Sequence, residues 1–358
     1  MTWLVVVGLV SAALATGAIL FLVRPVLDGR MLWPALGAAA VAALLTIGLG
    51  RVFAIASWDY LIGICAFAVP VLVLLEAAAI GSGADRTGRW ILMLVWGGIV
   101  FPLAALVPLW LTAACAGTDC ELEDFGGALP LLVSSSAFVL LAWLPAGVIE
   151  RADPDPHDNR RAMLALLVFW LAFVVWLTHL EGAVDEFTAR IVLTAVVGPA
   201  SSAVVWLLVD RVRNVQRPVV RSLVLGLVAG IAATIPGAVA VGFPWNIVVG
   251  AIAGCLASLA YSGRASASAG IATRWGFVLL VASAVGFLAP AISGGTVGIL
   301  FSAHLDVLSV PLLSLLGVTL LSLVVSAPAW VALRRHASRE RVPAAIRADA
   351  ASPDQEGR

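Results

Sequence analysis

The residues able to do chemistry are few, and they sit at the edges of long apolar runs. Asp124 opens the stretch Asp124-Phe-Gly-Gly-Ala-Leu-Pro-Leu-Leu-Val-Ser-Ser-Ser: a carboxylate, then two glycines (Gly126, Gly127) that let another backbone come close, then apolar residues long enough to cross a bilayer. A carboxylate placed there lies at a membrane boundary and marks one mouth of any enclosed path. Glu76 interrupts the apolar run from Val71 to Ile80. Inserting the comparable Asp costs about 2.5–3.5 kcal/mol, so Glu76 must face protein or water and be paired or protonated. It is either a cation or proton site, or a buried hydrogen bond to a neighbouring helix or an inner arginine. Trp110 precedes Asp124, and an indole beside a carboxylate suits a cation; with 13 tryptophans in the chain, a place in the interfacial belt is the other reading. His179 and Glu181 stand together at a helix end, as a solvated pair or as polar lining. His157 has no second histidine or cysteine near it, so it is read as a loop or cap residue and no metal site is expected. No Ser/His/Asp set and no phosphate loop is present, so the expectation is a protein that is not an enzyme and carries no cofactor.

The elements that position these residues are membrane helices. Of 358 residues, 62% are hydrophobic and 12% charged, and the mean hydropathy is +1.07, which excludes a soluble domain. Eleven apolar runs are expected to span, at about residues 3–23, 33–50, 60–80, 90–114, 126–149, 162–180, 191–209, 219–242, 244–262, 275–300 and 307–333. All 21 basic residues are arginine, and 19 fall in alternate loops and the tail, leaving Arg51 and Arg190 opposite. That split puts the N-terminus outside and the C-terminus inside a cytoplasmic membrane. The first span shows no small-residue cleavage site and is read as retained. The organisation expected is a membrane domain over 1–333 and a disordered inner tail over 334–358. Cys65 and Cys255 fall inside spans, whereas Cys115 and Cys120 flank an outer loop as either a disulfide or two free thiols. With zero net charge and no basic patch, nucleic acid is not a partner.

Several stretches resemble the ammonium transporter (Amt/Mep/Rh) family. Asp124, Phe125, Gly126 and Gly127 resemble the family's Asp-Phe-Ala-Gly-Gly with the Ala missing, and Leu131 or Leu132 stands where a pore histidine falls. Gly81-Ser-Gly-Ala-Asp-Arg-Thr-Gly-Arg resembles Gly-Ala-x-Ala-Glu-Arg-x-Arg-Phe, and Pro102-Leu-Ala with Trp110 is similar to Pro-Leu-Ala-His-x-Val-Trp. Arg217-Pro218, Gly226, Ala229-Gly230, Thr234-Ile-Pro236, Gly250 and Ala253-Gly254 follow the family's glycine and proline spacing. Ala291-Ile-Ser-Gly294-Gly295 looks like His-Gly-x-Gly-Gly, with Ala291 in place of the second pore histidine. The sixth-span motif is largely lost, with Trp176 at the gate and His179 or Glu181 at the polar position.

The resemblance implies an all-α fold of eleven transmembrane helices, a five-plus-five inverted repeat plus a final helix, assembled as a homotrimer in lipid. The paired glycines of spans five and ten lie five spans apart, an odd number, so the two halves insert with opposite orientation. The path it implies runs past Trp110, Asp124, Phe125, Gly126, Gly127, Leu131, Leu132, Trp176, His179, Ala291, Gly294 and Gly295. The function it implies is a channel for ammonia, ammonium or another small neutral solute; the alternative is a non-conducting sensor or assembly subunit. Leucine and alanine at the histidine places leave no proton relay. The tail shows no sign of the pattern that couples relatives to PII-type proteins.

Overall fold

The computed structural model describes residues 3–27, 32–52, 58–106, 122–143, 156–263, 271–295 and 298–350. Trp110, Cys115 and Cys120 lie outside the described residues. Among the described residues, eleven helical segments of ten residues or more stand where the apolar runs predict them: α1 (Trp3–Leu27), α2 (Trp33–Val52), α3 (Trp58–Gly81), α4 (Arg86–Leu106), α5 (Leu129–Leu140), α6 (Pro156–Leu180), α7 (Glu186–Val212), α8 (Val219–Thr234), α9 (Phe243–Tyr261), α10 (Ile271–Ser293) and α11 (Ser309–Ala350). Nine are long and apolar enough to cross a bilayer; α5 and α8 are shorter. A helix satisfies all of its backbone groups within its own segment, which is why apolar runs of this length cross lipid as helices. Large apolar side chains such as Leu44, Leu171, Leu313 and Val324 are exposed along the helices, as a lipid-facing surface requires.

Several ends carry their caps in the sequence. The Asp85 carboxylate accepts the Gly88 amide at the start of α4, and Asp185 accepts the Phe187 amide while its own N–H donates to Thr188 at the start of α7. Two π turns interrupt the helices, at Trp96–Val100 in α4 and at Leu129–Val133 at the head of α5.

Helix partners repeat with a period of five. α1 packs on α3 as α6 does on α8; α2 on α3 as α7 on α8; α2 on α4 as α7 on α9; α3 on α5 as α8 on α10. The halves meet through α1 against α6 and α5 against α10, and α11 lies outside them along α4, α5 and α10. Five spans per half is odd, so the second half enters the membrane inverted.

The glycine pairs lie five spans apart but do not themselves occupy equivalent places. Gly126–Gly127 precede α5, whereas Gly294–Gly295 follow α10, so they sit at opposite helix ends. Two boundaries also differ. α8 ends at Thr234 and not near 242, because Pro236 and Gly237 turn the chain. α11 continues past Leu333 to Ala350, in a stretch whose alanines, arginines and Glu340 favour helix. The tail read as disordered from 334 is therefore helical over much of its length.

Candidate transport pathway

Three chain breaks converge on one face: the turn before α5, the loop after α8 and the end of α10. The Phe125 N–H donates to the Pro236 carbonyl at 3.1 Å, and Val241 pairs with Gly294 in an isolated antiparallel bridge. Gly126 is pressed so close to Ile235 that an added Cβ would meet its side chain at 2.6 Å. Gly127 takes a φ of 64°, a left-handed turn that L side chains adopt at a cost.

Asp124 holds this turn together. Its Oδ1 accepts the Ala128 amide at 2.6 Å and its Oδ2 the Leu129 amide at 2.9 Å, so the carboxylate closes the first turn of α5. The Tyr60 hydroxyl donates to the Asp124 carbonyl at 3.1 Å. Burial pushes the Asp124 carboxyl up to about 6, against the pull of the two amide bonds. It remains largely ionised at neutral pH. Beside it lies a recess of about 430 Å³, its open mouth included, lined by Thr46, Tyr60, Ile64, Ala105, Asp124 and Pro130. On the same face Glu181 is pushed up by burial and by the nearby Asp185.

Deeper in, an aromatic stack sits between the halves. Trp176 of α6 lies on Phe67 of α3 with ring centroids 4.1 Å apart and planes 19° apart, and its indole N–H donates to the Gly63 carbonyl at 3.1 Å. Phe173 tilts against Trp176 and Phe169 against Phe67. Trp176 and Phe173 are fully buried, Phe67 is 4% exposed, and Phe169 is partly buried. Sequence reasoning singled out Trp176 but missed Phe67, which stands in an apolar run with nothing to distinguish it.

Leu131 on α5 and Ala291 on α10 are both buried. Leu132 is half-buried and touches both of the larger core clusters. Neither helix offers an ionisable side chain at these positions. Gly294 is buried while Gly295 is exposed at the end of α10.

His179 is not part of a solvated pair with Glu181. It is 2% exposed, wedged against Gly8 of α1 and Gly63 of α3, where glycines make room for the imidazole. One turn of α6 therefore presents Trp176 and His179 to the same glycine of α3.

Glu76 is fully buried with both oxygens engaged: Oε1 with Arg89 Nη1 of α4 at 2.9 Å, Oε2 with the Ala35 amide at the start of α2, also 2.9 Å. Of its two readings, the bonded, structural one fits this geometry. The sequence did not flag a second buried carboxylate, Asp210 of α7. Asp210 Oδ2 accepts from Arg217 at 2.8 Å, Ser222 at 2.7 Å and the Trp206 indole at 3.1 Å.

Fold and site together define a polytopic helical membrane protein of two inverted halves, with an aromatic stack between them. Its fold is that of the ammonium transporters (Amt/Mep/Rh). Mep2 from Candida albicans matches at a TM-score of 0.69 and 18% identity, over 92% of this chain and 84% of its own. Mep2 from Saccharomyces cerevisiae matches at 0.68 and 14%, over 90% and 84%. A structure titled sensor Amt protein matches at 0.67 and 14%, over 92% and 94%. No protein-family model and no curated protein matches the sequence.

Proposed function

We propose that this chain is a membrane channel of the ammonium-transporter kind that passes ammonia or another small uncharged solute. The observation that carries the reading is the fold shared with Mep2 over about nine-tenths of the chain. The interior narrows it. The way between the halves runs past an aromatic stack and past Leu131 and Ala291, none of which can take a proton or replace an ion's water. Stripping an ammonium ion of water against such walls is costly, whereas a neutral molecule meets little penalty.

In this reading Asp124 braces the outer mouth and adds negative charge to it. Acids such as Glu121, Glu123, Glu181, Asp185 and Glu186 outnumber Arg51 and Arg190 on that side, so cations collect there before one of them releases a proton. Trp110 serves cation entry, and Phe125, Gly126, Gly127, Gly294 and Gly295 form the backbone frame of the mouth. His179 holds α6 to α1 and α3, and Glu76 holds α2 to α4. The assembly is a homotrimer in the cytoplasmic membrane, with the N-terminus outside and the arginine-bearing face inside. The arginine split supports this orientation, and protease added to intact cells should leave the C-terminal tail uncut.

The test is flux into liposomes holding purified protein, with ammonium, methylammonium, urea and carbon dioxide offered in turn. Expected is solute uptake without a steady current and with little dependence on membrane voltage. A sustained ammonium-dependent current would overturn the neutral-solute reading. No flux of any solute, from protein shown to be folded, would overturn transport and leave the non-conducting role.

A further inference from the structure

Four tryptophans are fully buried among the described residues, and three of them donate the indole N–H to a protein acceptor: Trp96 to the Ser134 hydroxyl, Trp176 to the Gly63 carbonyl and Trp206 to the Asp210 carboxylate, each at 3.1 Å. The fourth, Trp330 of α11, finds no acceptor among those residues. One turn before it, the Ser326 hydroxyl is also fully buried and also without a partner. Other buried serines of this chain, Ser134, Ser135, Ser283 and Ser293, turn back onto the carbonyl four residues earlier in the chain; Ser326 does not. A buried donor with no acceptor loses its hydration and gains nothing in return, so two of them side by side call for a partner.

Both donors face α5. Ser322, one turn before Ser326, donates to the Ser134 carbonyl at 2.6 Å, and the Trp330 ring lies against Phe138 with centroids 5.5 Å apart. Residues four apart on a helix stand on one side with Cβ atoms about 5–6 Å apart, so Ser326 lies between these two contacts. A single oxygen about 2.9 Å from each donor can bridge such a gap. On the other side of the seam, α5 ends at Leu140 and tightens into the turn Leu141–Trp143, which α11 touches. Carbonyls of a last helical turn have no α-type partner ahead of them and remain acceptors. The seam thus sets donors on α11 against acceptors on α5.

A molecule that fits here accepts from an indole N–H and a hydroxyl and donates to a carbonyl. It is small, because both donors are closed off from solvent, and neutral, because neither donor carries a charge to balance an ion. Water meets these demands, and a buried water typically makes about three such bonds. We propose that an ordered water molecule is bound between α11 and the C-terminal end of α5, accepting from Trp330 and Ser326 and donating to a carbonyl of the last turn of α5. It fastens α11, which lies outside the two halves, to the helix whose head carries the Asp124 turn. The proposal stands apart from the transport reading, since it concerns how α11 is held and not flux.

The experiment is radiolytic labelling of the purified full chain in detergent. A short X-ray pulse turns water into hydroxyl radicals where it stands, and mass spectrometry reads the oxidised tryptophans. Trp330 should be oxidised several-fold more than Trp96, Trp176 and Trp206, which are as deeply buried but bonded to protein. When the protein is mixed with water enriched in heavy oxygen just before the pulse, the exposed Trp33 should carry the heavy isotope at once and Trp330 should lag. Ser326→Ala should cut the Trp330 labelling and lower the melting temperature by a few degrees. Trp330 labelled no more than the other three buried tryptophans would overturn the site, and so would heavy oxygen reaching it as fast as Trp33. An unchanged or higher melting temperature in Ser326→Ala would overturn it too, since that is what removing a dry, unbonded hydroxyl gives.

Discussion

The two halves share their helix partners but reach them by different means. In the first half, glycines mostly receive large side chains: Gly37 faces Trp90, Gly50 faces Leu61, and Gly63 takes Leu180 and His179. In the second, glycines let backbones touch. A Cβ on Gly286 would lie 2.0 Å from the Ala233 carbonyl, on Gly250 2.2 Å from that of Gly198, and on Gly254 2.3 Å from that of Ser202. Buried charge divides the same way. Glu76 meets one arginine, whereas Asp210 bonds one of three arginines gathered at Tyr261. One symmetric frame thus holds a half packed mostly by side chains and a half packed mostly by backbone. Small residues at helix crossings trade packing volume for close approach, and a half built that way has less freedom to absorb change.

The largest test of this difference lies in the buried carboxylates. Glu76→Ala and Asp210→Ala should each cost about 3–5 kcal/mol, since each strands a buried guanidinium. Removing the partner arginine as well separates the halves. Glu76→Gln/Arg89→Met should recover most of the loss in thermal melts, while Asp210→Asn/Arg217→Met should recover less, because Asp210 also accepts the Ser222 hydroxyl and the Trp206 indole, which an amide replaces only in part. Equal recovery in both would erase the distinction.

A smaller effect comes from the glycines. Gly286→Ala should cost about 3 kcal/mol, because the Ala233 carbonyl it would strike belongs to a helix that must shift as a whole. Gly63→Ala should cost about 1 kcal/mol, because the nearest atom it meets is the end of the Leu180 side chain, at 2.7 Å. Urea or thermal titration of the two variants ranks them, and a costlier Gly63→Ala would break the comparison.

The smallest concerns helix starts. α5 opens on the Asp124 carboxylate and α8 on Pro218 with no side-chain bond. Asp124→Asn, which can accept one of the two amides, should cost about 1 kcal/mol. It should also change the pH profile. Burial holds the folded carboxyl near 6, above its ordinary 3.8, so the folded protein binds this proton more tightly than the unfolded chain. The group's contribution is then full below about pH 4 and is lost as pH rises through 6. Melting temperature measured from pH 4 to 7 should fall less steeply in the variant; an unchanged slope would mean that another group titrates.

The helices were legible because lipid leaves the chain few choices, and eleven apolar runs between arginine loops could fold in few other ways. Asp124 was legible because a carboxylate before a helix has an evident use. Glu76 was legible only as a pair of alternatives, and the choice between them rested on Arg89 and Ala35, which nothing in a linear reading brings to it. Phe67 could not be read at all: a phenylalanine in an apolar run looks the same whether it faces lipid, core or path. His179 misled because proximity in sequence to Glu181 suggested solvent, whereas the glycines that house it lie on α1 and α3.

The π turn at Leu129–Val133 has a further consequence, for how such a chain tolerates length change. A π turn holds one residue more than the α turn it replaces and rotates whatever lies upstream of it by about a quarter circle or more. Just before it, this chain is one residue short of the motif that its opening stretch resembles. The wide turn works as a register adjuster: it keeps Asp124 over its two amides while deciding whether Leu131 or Leu132 turns toward the seam. A single residue inserted or deleted at this point should therefore leave Asp124 on its amides and exchange the side chain that faces inward, without rebuilding the fold.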